Sequence, residues 1–285
     1  MKLQCISIKG SGEWNEDAVI TNEHQNLYGV IDGATSLVPF RGPDNETGGR
    51  MASQLVKGYF EDFDSSRQTS LESLLAEANL KLGGEMKRSG IDLEAKDQLW
   101  TAGAAVVRIT DTHIEYVQTG DCMIIALYDD GTTRAVTRDH VAHIDEQSRV
   151  LWKQGIASGV KSKDTLWETV KPLILGNKQK MNTSRGYSVL NGLPEAEHYF
   201  ECGKINRIRL QSLLLVTDGL FYPEELGGHD DGTCLEGKLV QEVMSLGLQQ
   251  YAEWLLKLEN DDPECIQYPR FKKSDDKSAI WIELV

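Results

Sequence analysis

The sequence predicts an α+β protein, and three observations carry that prediction. Short apolar or alternating runs, bounded by turn residues, recur near both ends of the chain and through its middle, as strands do. Two stretches, residues 51–60 and 71–82, instead repeat apolar side chains at helical spacing. The order of these elements is strands, helices, strands, helices, strand, which segregates the two kinds rather than alternating them.

Residues 3–8 alternate apolar and polar side chains and predict a first strand. A Gly/Ser loop, Gly10-Ser11-Gly12, and the polar Asn15-Glu16-Asp17 lead into a second strand at Ala18-Val19-Ile20. A third strand runs through Val30-Ile31 to Asp32-Gly33. Pro39, Gly42, Pro43, Gly48 and Gly49 then predict loop over 39–49. Met51, Leu55 and Tyr59, with Ala52, Val56 and Phe60, line the first helix. Thr69 and Glu72 form a capping-box pattern for a second, lined by Leu71, Leu74, Leu75, Ala78 and Leu82 and ending at Gly83-Gly84. From Leu99 the period shortens, predicting strands over 104–109, 113–118, 123–128 and 133–136, antiparallel because their turns are short. Residues 141–197 read as a helix around Ile144, Ser148, Leu151 and Trp152 followed by irregular loop. Strands at 199–202, 205–210 and 213–217, helices at 240–248 and 251–258, and a final strand at 278–285 complete the chain.

With 285 residues, 40% hydrophobic and 26% charged, the chain is of ordinary globular composition, and no Ser/Pro/Gly-rich linker divides it. One domain over 1–285 is expected. The formal net charge of −14 argues against nucleic acid or an anionic membrane as partner. The five scattered cysteines form neither a disulfide framework nor a zinc ribbon. No apolar run reaches membrane-spanning length, and the first residues lack a signal peptide's apolar core. These features predict a cytoplasmic monomer.

The chemistry concentrates in aspartates. Of the four Asp-Gly dipeptides, Asp130-Gly131 and Asp231-Gly232 sit in polar stretches and read as turns. Asp32-Gly33 and Asp218-Gly219 instead end apolar runs, where a carboxylate is costly unless it is paired or holds a metal. Asp121 and Asp275 also lie at strand boundaries, and Glu16-Asp17 flanks another. Oxygen donors without His or Cys favour Mg²⁺ or Mn²⁺. One aspartate bridging two such ions about 3.5–4 Å apart would hold a water for in-line attack on phosphorus. Each aspartate alone also reads as a strand-end turn residue; the set is what points to chemistry.

The set also resembles a family. Asn15-Glu16-Asp17, Val30-Ile31-Asp32-Gly33, Gly120-Asp121-Cys122, Thr137-Arg138-Asp139-His140, Thr217-Asp218-Gly219 and Asp275-Asp276-Lys277-Ser278-Ala279 occur in one order along nearly the whole chain. Together they resemble the metal-dependent serine/threonine protein phosphatases of the PP2C (PPM) family, bacterial type. The resemblance implies a central β-sandwich of two antiparallel sheets flanked by helices, an α-β-β-α arrangement. It implies two Mn²⁺ or Mg²⁺ ions, with Asp32 bridging both, the Gly33 carbonyl on the second, and Asp218 and Asp275 completing the first. Glu16 and Asp17 would act through metal-bound waters, which makes Asp32, Asp218, Glu16 and Asp17 the catalytic set. Asp121, with Asp218, would hold a weaker third ion. The family usually reads Asp-Asn at the last motif, so Asp275 aligns as the ligand and Asp276 stays beside it as the alternative.

Departures from the family pattern bear on mechanism. An arginine that grips the substrate phosphate in many members is Gly12 here, which leaves Lys9 or Arg41 as substitutes or as plain surface charge. The animal enzymes' histidine two residues after the bridging aspartate is Ala34, which leaves the acid's role to a metal-bound water. Residues 141–197 fall where the family carries a variable flap. His140 and His143 could pair on a helix for zinc, but lack a third ligand motif and read as structural. Trp100, Trp152, Trp167 and Trp254 read as packing residues. Three functions follow: a phosphatase of phosphoserine and phosphothreonine in proteins, a catalytically silent relative that binds a partner, and a hydrolase of small phosphate esters.

Overall fold

Strand β3 (Leu27–Ala34) shows how the layers are built. Its alternate side chains part to opposite faces. Tyr28 and Val30 enter one buried cluster, and Leu27 and Ile31 another. The first cluster lies between two sheets and the second lies beneath helices. Being apolar on both faces, β3 can only be an interior strand.

The computed structural model describes residues 1–34, 38–64, 69–228 and 234–284. In one five-stranded sheet β3 is flanked by β2 (Ala18–Asn22) and β4 (Thr101–Ile109), followed by β5 (His113–Thr119) and β8 (Glu201–Asn206). The other sheet has the order β1 (Lys2–Ile8), β10 (Lys277–Glu283), β9 (Leu210–Val216), β6 (Met123–Tyr128), β7 (Thr133–Ala135). Every pairing is antiparallel. Val107, Ile124, Leu213, Leu215, Ile280 and Ile282 join Tyr28 and Val30 between the sheets. Helices α1 (Gly48–Glu61) and α2 (Leu71–Arg88) cover the outer face of the first sheet through Val56, Phe60, Leu75 and Leu82. Helices α5 (Leu235–Leu246) and α6 (Leu248–Asp261) cover the second through Leu239, Val243, Tyr251 and Leu255. The result is the expected α+β sandwich of two antiparallel sheets between helices.

Several boundaries differ from the sequence expectation, each for a local reason. Gly48 and Gly49 open α1 rather than lying in loop, because Thr47 caps the helix by accepting from the Arg50 amide. The cap of α2 is Ser70, which accepts from the Ser73 amide at 3.1 Å, one residue beyond the expected Thr69. Helix α2 runs through Gly83-Gly84 to Arg88. A Cβ at Gly83 would stand 2.2 Å from the Gly192 carbonyl oxygen, so this glycine serves close packing, not termination. Strand expectations over 199–217 collapse from three to two, β8 and β9, because the chain turns at 206–209 with Arg209 at φ 58°. The expected irregular loop after α3 (Ala142–Ala157) contains a further helix, α4 (Lys163–Lys178), with Pro172 inside it. Leu166 and Val170 of α4 close on Trp152 of α3 and Cys265, and this packing outweighs the break that Pro172 and Gly176 signal. Asp130-Gly131 is a turn, with Gly131 at φ 82°. Asp231-Gly232 and Val285 lie outside the described residues. Trp100 and Trp152 are fully buried packing residues.

Two adjacent glycines make opposite predictions. A methyl group added at Gly84 would find no atom within 4 Å, so Gly84→Ala should stabilise the protein by roughly 0.5–1 kcal/mol through helix propensity. Gly83→Ala carries the same propensity gain but forces the Gly192 backbone away, and should destabilise by about 1–3 kcal/mol. Paired thermal unfolding of the two variants checks both signs.

Candidate active site

Antiparallel register gathers the predicted residues at one end of the sandwich. Strand β9 ends where β6 and β10 begin, with Val216 opposite both Met123 and Ala279. That places Asp218, Asp121 and Asp275 just beyond neighbouring strand ends. In the other sheet Asp32 shares the parity of Tyr28 and Val30, so it faces the space between the sheets. It stands opposite Gly103. A Cβ on Gly103 would lie 2.9 Å from Asp121 Oδ1, so the missing side chain is what admits Asp121 beside Asp32. Asp218 is within hydrogen-bonding reach of Asp32.

Glu16 and Asp17 enter from the loop between β1 and β2. Asp17 is 3% exposed, and its Oδ2 accepts from Thr217 Oγ1 at 2.8 Å across the two sheets. Glu16 Oε1 accepts from the Thr47 hydroxyl at the cap of α1. Gly33 donates its amide to the Glu16 carbonyl at 3.2 Å. A Cβ on Gly33 would stand 2.2 Å from the Gly49 carbonyl oxygen, so glycine is required by the packing of β3 against α1. The two carboxylates of the last motif part company. Asp276 accepts from the Gly10 amide with Oδ1 at 2.7 Å and from the Glu16 amide with Oδ2 at 2.6 Å. Asp275 faces the cleft and pairs with Lys272 Nζ at 2.8 Å.

The carboxylates resist ionising together. Asp32 is raised well above the usual carboxylate range by desolvation, then by Asp17, Asp218, Asp121 and Asp275. Desolvation and Asp218 do the same to Asp121. Asp17 is raised by burial against the opposing pull of the Thr217 hydroxyl. Asp218 is pushed up to about 6 by desolvation and Asp275. Lys272 shows the converse: desolvation opposes its charge, but Asp275, Asp32 and Asp218 outweigh it and hold the ammonium well above its ordinary value.

Three contributors escaped the sequence. Asp145, in the first turn of α3, is pushed up to about 7 by burial, with Asp218 and Asp139 adding to the effect and Arg149 opposing it. Asp139 Oδ1 accepts from the Val141 and Ala142 amides, which turns the chain into α3 and brings Asp145 inward. The Asp145–Arg149 spacing of one helical turn was the available signal. Lys272 sits in a polar loop and reads from sequence as surface charge. The third is a hydrogen-bonded chain that links Glu201 and Ser188, both after α4, through His140. Glu201 accepts from His140 Nε2 at 3.1 Å, and His140 Nδ1 bonds the Ser188 hydroxyl. Ser188 Oγ in turn accepts from the Gly120 amide at 3.1 Å. Burial keeps the imidazole below its usual range despite Glu201. A neutral ring donating to Glu201 must accept from Ser188, so His140 positions the Asp121 turn. His143 is exposed and apart from it. Lys9 Nζ reaches the Glu13 carbonyl at 3.4 Å, and Arg41 pairs with Glu13 at 2.8 Å, so both substitutes for the absent arginine are engaged elsewhere.

The donor set suits a hard divalent cation. It is all oxygen, and Asp218 Oδ1 is buried without a hydrogen-bond partner among the described residues. Among those residues no three His, Cys, Asp or Glu side chains close around one point at ligand distance.

The family described as protein phosphatase 2C matches residues 7–255. No curated protein matches the sequence. Among solved structures, the serine/threonine phosphatase Stp1 from Staphylococcus aureus is similar at TM-score 0.57 and 14% identity, over 100% of this chain and 95% of that one. PstP/Ppp from Mycobacterium tuberculosis is similar at TM-score 0.56 and 16% identity, over 99% and 98%. The PstP catalytic domain in complex with two manganese ions scores 0.56 at 15% identity, over 99% and 97%.

The bracing contacts and the raised carboxylates each make a prediction. Asp276→Ala strands two amides in a buried setting and should cost about 1–3 kcal/mol per amide. Urea unfolding in chelator checks it, since a loss there cannot come from bound metal. The second concerns pH. Asp218 and Asp145 hold protons up to about 6 and about 7, whereas the unfolded chain releases them near 3.8. The folded state therefore carries the extra protons between these values, and metal-free stability should fall as pH rises from about 4.5 to about 7.5. Unfolding midpoints in chelator across that range check the sign; adding Mn²⁺ should flatten the slope.

Proposed function

We propose that this chain, which belongs to the protein phosphatase 2C family, hydrolyses phosphoserine and phosphothreonine in proteins with the help of two Mn²⁺ or Mg²⁺ ions. The observation that carries the reading is the convergence of Asp32, Asp121, Asp218 and Asp275 from both sheets on one cleft, with an orphaned oxygen on Asp218. Similar structures named as serine/threonine phosphatases, one of them a complex with two manganese ions, support it.

In this reading Asp32, the Gly33 carbonyl, Asp218 and Asp275 would hold the two ions, and Asp121 with Asp218 would hold a weaker third. When bound, the ions supply an activated water for in-line attack on phosphorus and a charge that stabilises the transition state. The chain's own groups keep this arrangement fixed. Thr217 and Thr47 orient the Asp17 and Glu16 carboxylates, which would hold waters beside the ligands. Asp276 is assigned a bracing role instead of ligation, because both its oxygens already hold amides. His140, with Ser188 from the segment 141–197 that is read as the flap within a single domain over 1–285, sets the Asp121 turn. Ala34 offers no proton donor beside Asp32.

A cytoplasmic monomer acting on phosphoproteins is part of the same proposal. All five cysteines are free, and among the described residues no helix is long and apolar enough to cross a membrane.

The test is phosphopeptide hydrolysis with Mn²⁺ or Mg²⁺, compared with nucleotides and sugar phosphates. Turnover should favour the phosphopeptide and stop in excess EDTA while circular dichroism stays native. Asp32→Asn should lose at least about 10³-fold in kcat. Preference for sugar phosphates would favour the small-ester hydrolase, and no turnover on any ester would favour the silent relative.

A further inference from the structure

We infer that Lys272 is the substrate-binding residue that grips the phosphoryl oxygens of the phosphoester, an assignment that rests on the phosphatase reading above. The need for such a group is chemical. A dianionic phosphoester entering a cleft lined by Asp32, Asp121, Asp218 and Asp275 meets repulsion wherever a carboxylate stays uncompensated. A protein cation at the rim removes part of that cost and adds charge-assisted hydrogen bonds.

Lys272 is placed to do this. Its ammonium pairs with Asp275 Oδ1 at 2.8 Å and lies near enough to Asp32 and Asp218 for both to act on its charge. The side chain is 46% exposed, so it stands at the mouth of the cleft and not within the core. Several other basic residues nearby are committed or screened. Arg50 bonds the Asn15 carbonyl at 3.0 Å and stacks on Trp14. Lys9 and Arg41 are held by Glu13. Lys178 is only 8% exposed. Arg149 acts on Asp139 and Asp145, on the α3 side.

The backbone that carries Lys272 is braced on both sides. The Cys265 thiol reaches the Lys272 carbonyl at 3.4 Å, and Arg270 Nε holds the Lys273 carbonyl at 2.9 Å. Arg270 is itself locked to Asp262 and to the Glu259 carbonyl. Beyond the loop, buried Lys277 pairs with Glu259 and donates to the Asp275 carbonyl at 3.0 Å. A rigid base under a four-carbon stem gives a cation of fixed origin whose tip can turn between partners. Its present partner is also a proposed ligand. Once Asp275 is committed to a divalent cation it holds the ammonium more weakly, and the three donors turn to the incoming anion.

The experiment uses the full chain loaded with Mn²⁺ and inorganic phosphate as probe. Phosphate and Mn²⁺ affinities are measured by calorimetry for the starting protein, Lys272→Met and Lys272→Arg, alongside KM and kcat on a phosphopeptide. Lys272→Met should weaken phosphate binding about tenfold or more, raise KM in parallel, and leave Mn²⁺ affinity equal or tighter. Lys272→Arg should stay within about threefold of the starting protein, since it keeps the charge. Lys272→Gln replaces the Met variant if that one fails to fold. Undiminished phosphate affinity in the truncated variant, with Mn²⁺ bound more tightly, would make Lys272 a mere counter-ion and overturn the inference. So would a loaded protein that binds no phosphate at all. Phosphate binding that depends on Lys272 in a protein without phosphopeptide turnover would uphold the inference while rejecting the phosphatase reading.

Discussion

Mutual repulsion among carboxylates at one end of the sandwich is the constraint to which the rest of the molecule answers. Asp17, Asp32 and Asp121 are each pushed up by desolvation and by neighbouring carboxylates, and Asp218 by desolvation and Asp275, so the fold holds them together at a cost in stability. The cost is met by the apolar space between the sheets and by anchors that do not depend on charge neutralisation. Asp276 is the plainest of these. Its two oxygens join the loop after β1 to the start of β10, across 266 and 260 positions of the chain. One member of an acidic pair thus acts as an anchor while its neighbour faces the cleft.

The same end of the molecule is built by removing side chains as much as by placing them. Gly103 clears room for Asp121 opposite Asp32. Gly33 and Gly49 let β3 and the first turn of α1 approach so closely that a methyl on either would meet a carbonyl oxygen within 3 Å. That approach brings Thr47 onto Glu16 and fixes the loop from which Asp17 also comes. Glycine at these positions answers to packing first; its compatibility with an exposed carbonyl is a second benefit.

The segment after β7 joins the core beneath α1 and α2 through Met181, Val189 and Leu190, and reaches the cleft through polar contacts. Trp152, Leu166, Val170 and Cys265 make a separate apolar cluster for α3 and α4. What reaches the site from there is Asp139, Asp145 and the Glu201–His140–Ser188 chain ending on the Gly120 amide. A change in this segment would be felt at Asp121 through that chain.

How much of this was legible depends on the range of the interaction. The alternation in β3, the helical stripe of α1 and the carboxylates ending Val30-Ile31 and the run to Thr217 are local patterns, so sequence alone determined the α+β class and named Asp32, Asp121, Asp218 and Asp275 as candidates. Boundaries shifted where a distant contact overrode a local signal: Gly83 faces Gly192, and α4 persists through Pro172 because Leu166 and Val170 pack on Trp152. Only the tertiary structure decided which of Asp275 and Asp276 faces the cleft, since that turns on amides at Gly10 and Glu16, far along the chain. It alone brought in Lys272 and Asp145, whose meaning comes from the field of carboxylates on other strands. A charged side chain carries no mark in its own sequence neighbourhood of the charges it will meet. Periodicity records which face of an element is buried, whereas electrostatics and close packing are settled only when the elements meet.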